Sequence, residues 1–240
     1  MSYPHLSEQS FVQLISDAIH FYKMSIETDD PYESQRFSRS SILYSTLSLE
    51  SAANCCLYSL QSSRNFINDL EKTTAFAKLD LFAQISENKH IDRSRVEFQR
   101  VSELKKVRDS FVHPKKVKIP LEFSVNDMEG DFRELGLHFE ANPMKGTGID
   151  RSSMFWFSSD AKSALSAVFS FFEYYFVTLL NHDSKTVMAL LSDAVHINEE
   201  NAFLFHNKAL EKDLMFLKQQ KIKQTFLNLG EYKQLNVIAP

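Results

Sequence analysis

Glycine is nearly absent from this chain. Only five glycines occur among 240 residues, and four of them, Gly130, Gly136, Gly146 and Gly148, lie in one short region. Tight β-hairpins usually need glycine at positions of positive φ, so the first 129 residues lack the turn signals of a β-protein. Apolar residues recur there at spacings of three and four, the period of an amphipathic helix. The sequence therefore predicts an all-α fold with one irregular region.

The apolar period predicts helices joined by short polar links. One late helix has an unusually aromatic body, FSFFEYYF. Another is expected to begin at Asp92, which can cap it, and to stop at Pro114, since proline disfavours the α conformation in the residue before it. The predicted helices cover residues 8–26, 38–60, 64–71, 78–85, 92–113, 158–180, 184–195 and 199–229.

Between residues 115 and 157 the helical pattern breaks. The stretch VKIPLEFSV alternates, the four clustered glycines follow, and MFWF is a second extended run. We expect a long loop with a small hairpin in this excursion. The chain is then an antiparallel helical bundle over residues 1–183, which includes the excursion at about 115–157, and a C-terminal helical extension over residues 184–240.

The charge balance excludes a protein drawn to nucleic acid by a global positive field. Lys and Arg number 27 against 31 Asp and Glu, a formal charge of −4, so any anion site must be local. No signal peptide is expected, and the most apolar stretch, residues 164–180, is short for a membrane span. The adjacent Cys55 and Cys56 predict reduced, core-packed thiols. We therefore expect a cytoplasmic protein without a membrane partner.

One local anion site is visible in KKVRDSFVHPKK, residues 105–116. Arginine binds phosphate through two parallel hydrogen bonds and histidine titrates near neutrality, so Arg108 and His113 suit metal-free phosphodiester chemistry. On a regular helix these two lie about 140° apart, whereas Asp109 shares a side with His113 and its carboxylate is expected to hold the imidazole. The candidate substrate-binding residues are the flanking lysines Lys105, Lys106, Lys115 and Lys116.

The same residues also fit a helix end without a function. The helix dipole favours a cation near its C-terminus, and His-Pro is a sufficient stop signal. Other chemistries find little support. The eight histidines show no paired metal-ligand spacing, the cysteines lack zinc spacing, and KGTGID fits a turn better than a dinucleotide loop. We expect no cofactor and no metal.

The stretch RDSFVHP, with Arg108, polar Asp109, three further residues and His113 before a proline, resembles the signature of the HEPN superfamily (higher eukaryotes and prokaryotes nucleotide-binding). SILYSTLSLESAANCCLYSL is similar to the family's helix with a glutamate in a small apolar context, which places Glu50 and Asn54 one turn apart. FWFSSDAKSALSAVFSFFEYYF is similar to its aromatic closing helix. The resemblance spans residues 8–180, and the excursion and the C-terminal tail depart from a minimal member.

The resemblance implies a HEPN-like bundle that acts as a metal-independent endoribonuclease of toxin or defence type. Such an enzyme is a homodimer whose site is assembled from both copies. His113 would activate the ribose 2′-hydroxyl or protonate the leaving oxygen, Arg108 would stabilise charge on the phosphate, and Asp109 would orient the pair. Glu50 and Asn54 would support the site. An antitoxin or a nucleotidyltransferase-like chain is the partner protein to expect.

Two other functions stay open. A non-catalytic HEPN-like module would hold RNA, a nucleotide or a protein partner in the same basic pocket without turnover. A helical interaction protein would use the aromatic residues 169–176 as its interface, although such a stripe is more often core. Binding without cleavage, or loss of oligomers on polar substitution, would distinguish them.

Overall fold

The computed structural model describes residues 4–60, 62–113, 121–123, 137–197, 202–204 and 208–227, with the backbone alone at 121–123, 137–139 and 202–204. Helices α1 to α5 are Phe11–Glu27, Pro31–Ser59, Arg64–Glu71, Ala75–Glu87 and Val96–Val112. Helices α6 to α8 are Ser158–Phe172, Ser184–Leu191 and Lys208–Gln219. Strands β1 to β5 are His5–Ser7, Leu121–Phe123, Leu137–Phe139, Ala194–His196 and Ala202–Leu204. The prediction of an all-α protein with a small hairpin is confirmed.

Helix α2 is the centre of the bundle, because α1, α4, α5, α6 and α7 all pack against it. One side of α2 is rich in small hydroxyl residues that are fully buried, namely Ser38, Ser41, Ser45 and Ser48. Ser41 Oγ donates to the Ala18 carbonyl of α1 at 2.8 Å, which satisfies a buried hydroxyl. These small side chains let α1 and α2 pack closely as an antiparallel pair.

The aromatic helix lies in the core. The rings without exposed surface include Phe169, Phe171, Phe172, Tyr175 and Phe176. Tyr175 donates its hydroxyl to the Leu79 carbonyl at 2.7 Å, so its polar end is satisfied inside the core. Helix α6 continues as a π-helix over Glu173–Leu179. The prediction that this stripe is core is confirmed, and the interaction-protein alternative loses its proposed interface.

The C-terminal extension contains strands where helices are predicted. Helix α7 ends at Leu191 instead of residue 195, and α8 covers only Lys208–Gln219. Between them, β4 pairs antiparallel with β1 and with β5, with His5 opposite His196. The partner strand β1 lies at the other end of the sequence, so the local apolar period cannot reveal this sheet.

The extension packs onto the aromatic core of the bundle. Thr225–Leu227 forms a 3₁₀ turn, and the Phe226 ring lies 5.5 Å from the Phe172 ring. Glu173 of the π-helix is buried and accepts hydrogen bonds from Thr225 Oγ1 at 2.6 Å and from Phe226 N at 3.0 Å. The division into residues 1–183 and 184–240 stays a prediction, although these contacts join the two parts.

The starts of α2 and α5 lie several residues from their predicted positions. Helix α2 begins at Pro31 instead of residue 38, because the Asp30 carboxylate accepts from Tyr32 N at 2.8 Å and proline is favoured at the first helical position. Asp92 does not cap α5, since its carboxylate closes a turn ahead of the helix, which begins at Val96. The predicted end of α5 next to Pro114 is confirmed.

The described part of the excursion contains the small hairpin, formed by antiparallel β2 and β3. The extended run predicted at MFWF is wrong for Met154 and Phe155, which lie in the 3₁₀ turn Ser153–Phe155, whereas Trp156 and Phe157 have extended backbone. Trp156 follows the turn without exposed surface, and its Nε1 donates to the Asp150 carbonyl at 2.7 Å. KGTGID forms the expected turn, with Gly148 at φ 73° and its N–H donating to Met144 at 2.9 Å.

The two cysteines are free and buried, as predicted. Burial raises the pKa of the Cys55 thiol to about 12 and raises the pKa of Cys56 well above its ordinary value. Within the described residues, no single helix has both the length and the apolar composition of a membrane span. Only the strongly bent pair Ser158–Leu179 and Ser184–Leu191 meets both criteria together.

Candidate functional site

Helix α5 displays the candidate site along its exposed face. Its opposite face is anchored in the core by the buried side chains of Val101, Leu104 and Val107. Because each residue turns a helix by about 100°, Lys105, Asp109 and His113 follow one another along the solvent side. Arg108 lies at the edge of this face, next to α2.

Arg108 joins α5 to α2 through ion pairs. One guanidinium nitrogen contacts the carboxylate of Glu50, and the other terminal nitrogen lies 3.1 Å from Asp109 Oδ1. The Arg108 side chain is 16% exposed, whereas the two carboxylates are each 43% exposed. Its buried Nε–H has no hydrogen-bond partner within the described part of the chain. Arg108 is thus held between two carboxylates at the edge of the bundle, and its Nε–H donates to no group among the described residues.

His113 ends the helix in the way that the sequence predicts. Its backbone has left the α region, at φ −121° and ψ 65°, and its N–H donates to the Asp109 carbonyl at 2.9 Å. The imidazole is exposed. The predicted hold of the Asp109 carboxylate on the imidazole is not what the structure shows, because that carboxylate turns to Arg108. Asp109 therefore contacts Arg108 through its carboxylate and His113 through its backbone carbonyl.

The two supporting residues predicted on α2 have separate partners. Glu50 contacts Arg108, and Asn54 Oδ1 accepts from Lys78 Nζ of α4 at 2.8 Å. Lys78 is 7% exposed, and this burial lowers the pKa of its ammonium group, with Glu71 opposing the shift. Lys78 is a neighbour of the site that sequence reasoning missed, since its position on a predicted helix carries no sign of its contact.

The second half of the excursion packs along the other edge of α5. The Glu103 carboxylate accepts from the N–H groups of Gly146 and Thr147, each at 2.9 Å. Further along α5, Ser110 Oγ lies 3.4 Å from the Arg151 carbonyl, while its hydroxyl proton is donated to the Val107 carbonyl at 2.7 Å. Glu103 and Arg151 were not predicted as site residues, because contacts across more than 40 positions leave no local pattern.

The structure describes two of the four candidate substrate-binding lysines. Lys106 is exposed and Lys105 is half-buried, both on α5 near the ion-paired arginine. Lys115 and Lys116 lie outside the described residues. The two positioned lysines and His113 make the solvent side of the helix end basic, while Glu50 and Asp109 supply acid at its edge.

Exposed apolar side chains surround the end of α5, and we call this group the apolar rim. It consists of Phe111 and Val112 on the helix and Met154 and Phe157 on the packed segment, each between 37% and 55% exposed. The Phe111 ring lies 5.4 Å from the ring of buried Trp156, which brings the two segments together. The rim therefore borders both His113 and the acid-paired arginine.

No metal-binding group of three or more His, Cys, Asp or Glu side chains is present among the described residues. Comparisons of the chain with models of protein families, with curated proteins and with solved structures found no match. The HEPN resemblance therefore stays a prediction that depends on the motif and its setting.

Proposed function

We propose that the chain is a metal-independent endoribonuclease of toxin or defence type, the activity that the HEPN resemblance implies. The observation that carries the proposal is the end of α5, where Arg108 is held by two carboxylates and exposed His113 closes the last turn. Lys105 and Lys106 add positive charge on the same helix. An arginine and a histidine on one rigid element supply a phosphate ligand and a proton carrier without a metal.

In the proposed reaction the ribose 2′-oxygen attacks the adjacent phosphorus, and His113 takes the 2′-hydroxyl proton. The new bond joins the 2′-oxygen to phosphorus, and the bond from phosphorus to the 5′-oxygen breaks. A protonated histidine returns a proton to that leaving oxygen. Arg108 stabilises the charge that builds on the phosphoryl oxygens. The products are a 2′,3′-cyclic phosphate and a 5′-hydroxyl, so DNA is inert.

RNA must compete with protein carboxylates for Arg108. In the free protein the guanidinium contacts both Glu50 and Asp109, and its Nε–H stays unused among the described groups. A phosphate can accept two parallel hydrogen bonds from the guanidinium, whereas each carboxylate contacts only one of its nitrogens. Glu50 and Asn54 of α2 thus act as supporting residues, which keep Arg108 of α5 and buried Lys78 of α4 in place until substrate binds.

The proposed enzyme is a homodimer because one chain does not bring the arginine and the histidine together. Arg108 turns toward α2, whereas His113 lies about 140° around the helix. A two-fold partner can place its own His113 opposite this arginine. The apolar rim of Phe111, Val112, Met154 and Phe157 supplies an exposed hydrophobic surface beside the motif, as such an interface needs.

Mixing two inactive variants tests this composite site. Arg108→Ala and His113→Ala are each expected to abolish cleavage of single-stranded RNA in EDTA. Unfolding and refolding them together should restore about one quarter of the wild-type rate, since half of the random dimers hold one intact site of two. Full dimers that stay inactive after mixing would contradict a site shared between copies.

A non-catalytic RNA-binding module is the second candidate. The pairing of Arg108 with two carboxylates favours it over an enzyme, because a neutralised arginine cannot stabilise the charge that builds on a reacting phosphate, which leaves the lysines of α5 to hold RNA. In that case wild-type protein retains RNA intact, and His113→Ala weakens the affinity only modestly.

The biological setting follows from the same proposal. A ribonuclease of this type is expected to be neutralised by an antitoxin or a nucleotidyltransferase-like chain. We place it in the cytoplasm, in keeping with two buried thiols that form no disulfide. Copurification of the tagged protein with a chain encoded beside it, and relief of RNA cleavage by that chain, tests the partner.

A further inference from the structure

The packed part of the excursion, residues 142–157, brings an arginine to the candidate site that the motif does not contain. Ser110 and Arg108 lie about 200° apart around α5, so they mark opposite edges of its exposed face. Arg108 reaches α2 at one edge, and Ser110 meets the Arg151 carbonyl at the other. His113 follows Ser110 by three residues and shares its side of the helix.

The backbone at Arg151 is held from several directions. Its N–H donates to the Asn142 carbonyl at 3.2 Å, and the buried Asp150 carboxylate accepts from Ser152 N at 2.7 Å. Trp156 donates to the Asp150 carbonyl at 2.7 Å. Such a braced loop can present a side chain without first having to order the backbone that carries it.

The Glu103 carboxylate fastens the neighbouring turn to the same helix. It accepts from the N–H groups of Gly146 and Thr147, and Arg100 Nε donates to the Gly146 carbonyl at 3.1 Å. A Cβ on Gly146 would come within 3.0 Å of a Glu103 carboxylate oxygen, so the fit leaves little room. The turn and Arg151 are therefore attached to the helix that carries the motif.

Arg151 differs from Arg108 in its charge environment. Arg151 is exposed, and no ion pair with a carboxylate involves it within the described part of the chain. An exposed guanidinium on a braced loop keeps its full charge for a phosphate. Arg108, in contrast, must first break its ion pairs with Glu50 and Asp109 before it can bind a phosphate.

We propose that Arg151 is a second phosphate-binding residue of the site, which holds the RNA phosphate next to the one that is cleaved. This inference rests on the proposed RNA function and deepens it. In the composite site, RNA then runs from the partner's Arg108, which contacts the cleaved phosphate, over His113 to Arg151 of the chain that carries this His113. The excursion is a substrate-positioning element in this arrangement, with Glu103 as the residue that positions it.

The test measures binding of a labelled single-stranded RNA over a series of salt concentrations, in a His113→Ala background that prevents cleavage. Each neutralised phosphate of a single strand contributes about 0.7 to the slope of log affinity against log salt. Arg151→Gln should lower the affinity about three- to tenfold and reduce the slope by about 0.7. Arg64→Gln, at an exposed arginine that begins α3, is the matched control and should change neither.

Glu103→Ala separates positioning from general charge. It removes a negative charge, so simple electrostatics predicts tighter RNA binding, whereas loss of the attachment predicts weaker binding and the same lowered slope. Adding Arg151→Gln to Glu103→Ala should then have little further effect. Binding in which Arg151→Gln matches Arg64→Gln would overturn the inference and leave the ribonuclease proposal standing. Failure of the background protein to bind RNA, together with an inactive wild type, would remove both.

Discussion

Glu173 should hold the C-terminal extension to the bundle, and its removal should destabilise the whole protein. The carboxylate is 7% exposed and accepts from Thr225 Oγ1 at 2.6 Å and Phe226 N at 3.0 Å. Hydrogen bonds to a charged group contribute about 1.5–3 kcal/mol each. Lys223 Nζ lies 3.2 Å away but is 71% exposed, so its ion pair adds at most about 1 kcal/mol.

Glu173→Ala leaves the buried Phe226 N–H without its acceptor and opens the contact between the π-helix and the 3₁₀ turn. The cost of keeping a carboxylate in the core offsets part of this loss. We expect the free energy of unfolding to fall by about 2–4 kcal/mol. At about 2–4 °C per kcal/mol for a chain of this size, the Tm should fall by about 5–15 °C. Glu173→Gln keeps an acceptor and should cost less.

Thermal and urea unfolding, followed by far-UV circular dichroism and by Trp156 fluorescence, measure this effect. Glu27→Ala is the matched control, since that glutamate is 54% exposed and pairs with Lys23 only across one helical turn at 3.8 Å. It should change the stability by less than about 0.5 kcal/mol. A Glu173→Ala variant as stable as Glu27→Ala would show that Glu173 does not hold the extension. Loss of the extension in a separate, earlier transition would show that this contact does not stabilise the whole protein.

Three further predictions concern groups away from the motif. Cys55, with a pKa of about 12, and the more deeply buried Cys56 should resist iodoacetamide at pH 8 in the native protein, where about 10⁻⁴ of Cys55 is thiolate, and should react fully in urea. Fast native labelling would contradict their burial. Burial raises the pKa of Asp213 above 3.8, so this carboxyl gives stability at acid pH that is lost as pH rises through its folded pKa. The Tm of Asp213→Asn relative to wild type should therefore be higher at pH 7 than at pH 3.5, and a flat difference would argue against it. Trp156 is the only tryptophan and has no exposed surface, so iodide should barely quench the native emission, and Trp156→Ala should cost about 3–5 kcal/mol by urea unfolding.

The sequence predicts a helix correctly where one face of a continuous segment packs against the core. The stripe Phe11, Ile15, Ala18, Ile19 and Tyr22 of α1 is buried as its spacing indicates. The extension of α2 back to Pro31 has a recognisable signal too, an aspartate followed by proline at a helix start.

The small sheet of β1, β4 and β5 could not be predicted in this way. Each of its strands has three residues, and the pairing of His5 with His196 joins the two ends of the chain. A strand of that length has no period to detect, and its stability comes from a partner that local sequence does not specify.

The sequence likewise predicts one part of the candidate site and misses another. Arg108, Asp109 and His113 are neighbours on one helix, so their spacing located them, and the resemblance added Glu50 across the bundle. The attachment of Glu103 to Gly146 and the placement of Arg151 beside Ser110 depend on how the excursion folds back. Such contacts come from packing, which residue spacing alone does not encode.

The proposed function requires the end of α5 to cleave RNA without a metal. Purified wild type and His113→Ala, both checked for folding and dimer formation, should be incubated with labelled single-stranded RNA in excess EDTA, and the product ends should be mapped. Cleavage by wild type alone is expected, leaving a 2′,3′-cyclic phosphate and a 5′-hydroxyl. A folded, dimeric wild type that leaves varied RNAs intact, or equal cleavage by both proteins, would contradict the proposed function.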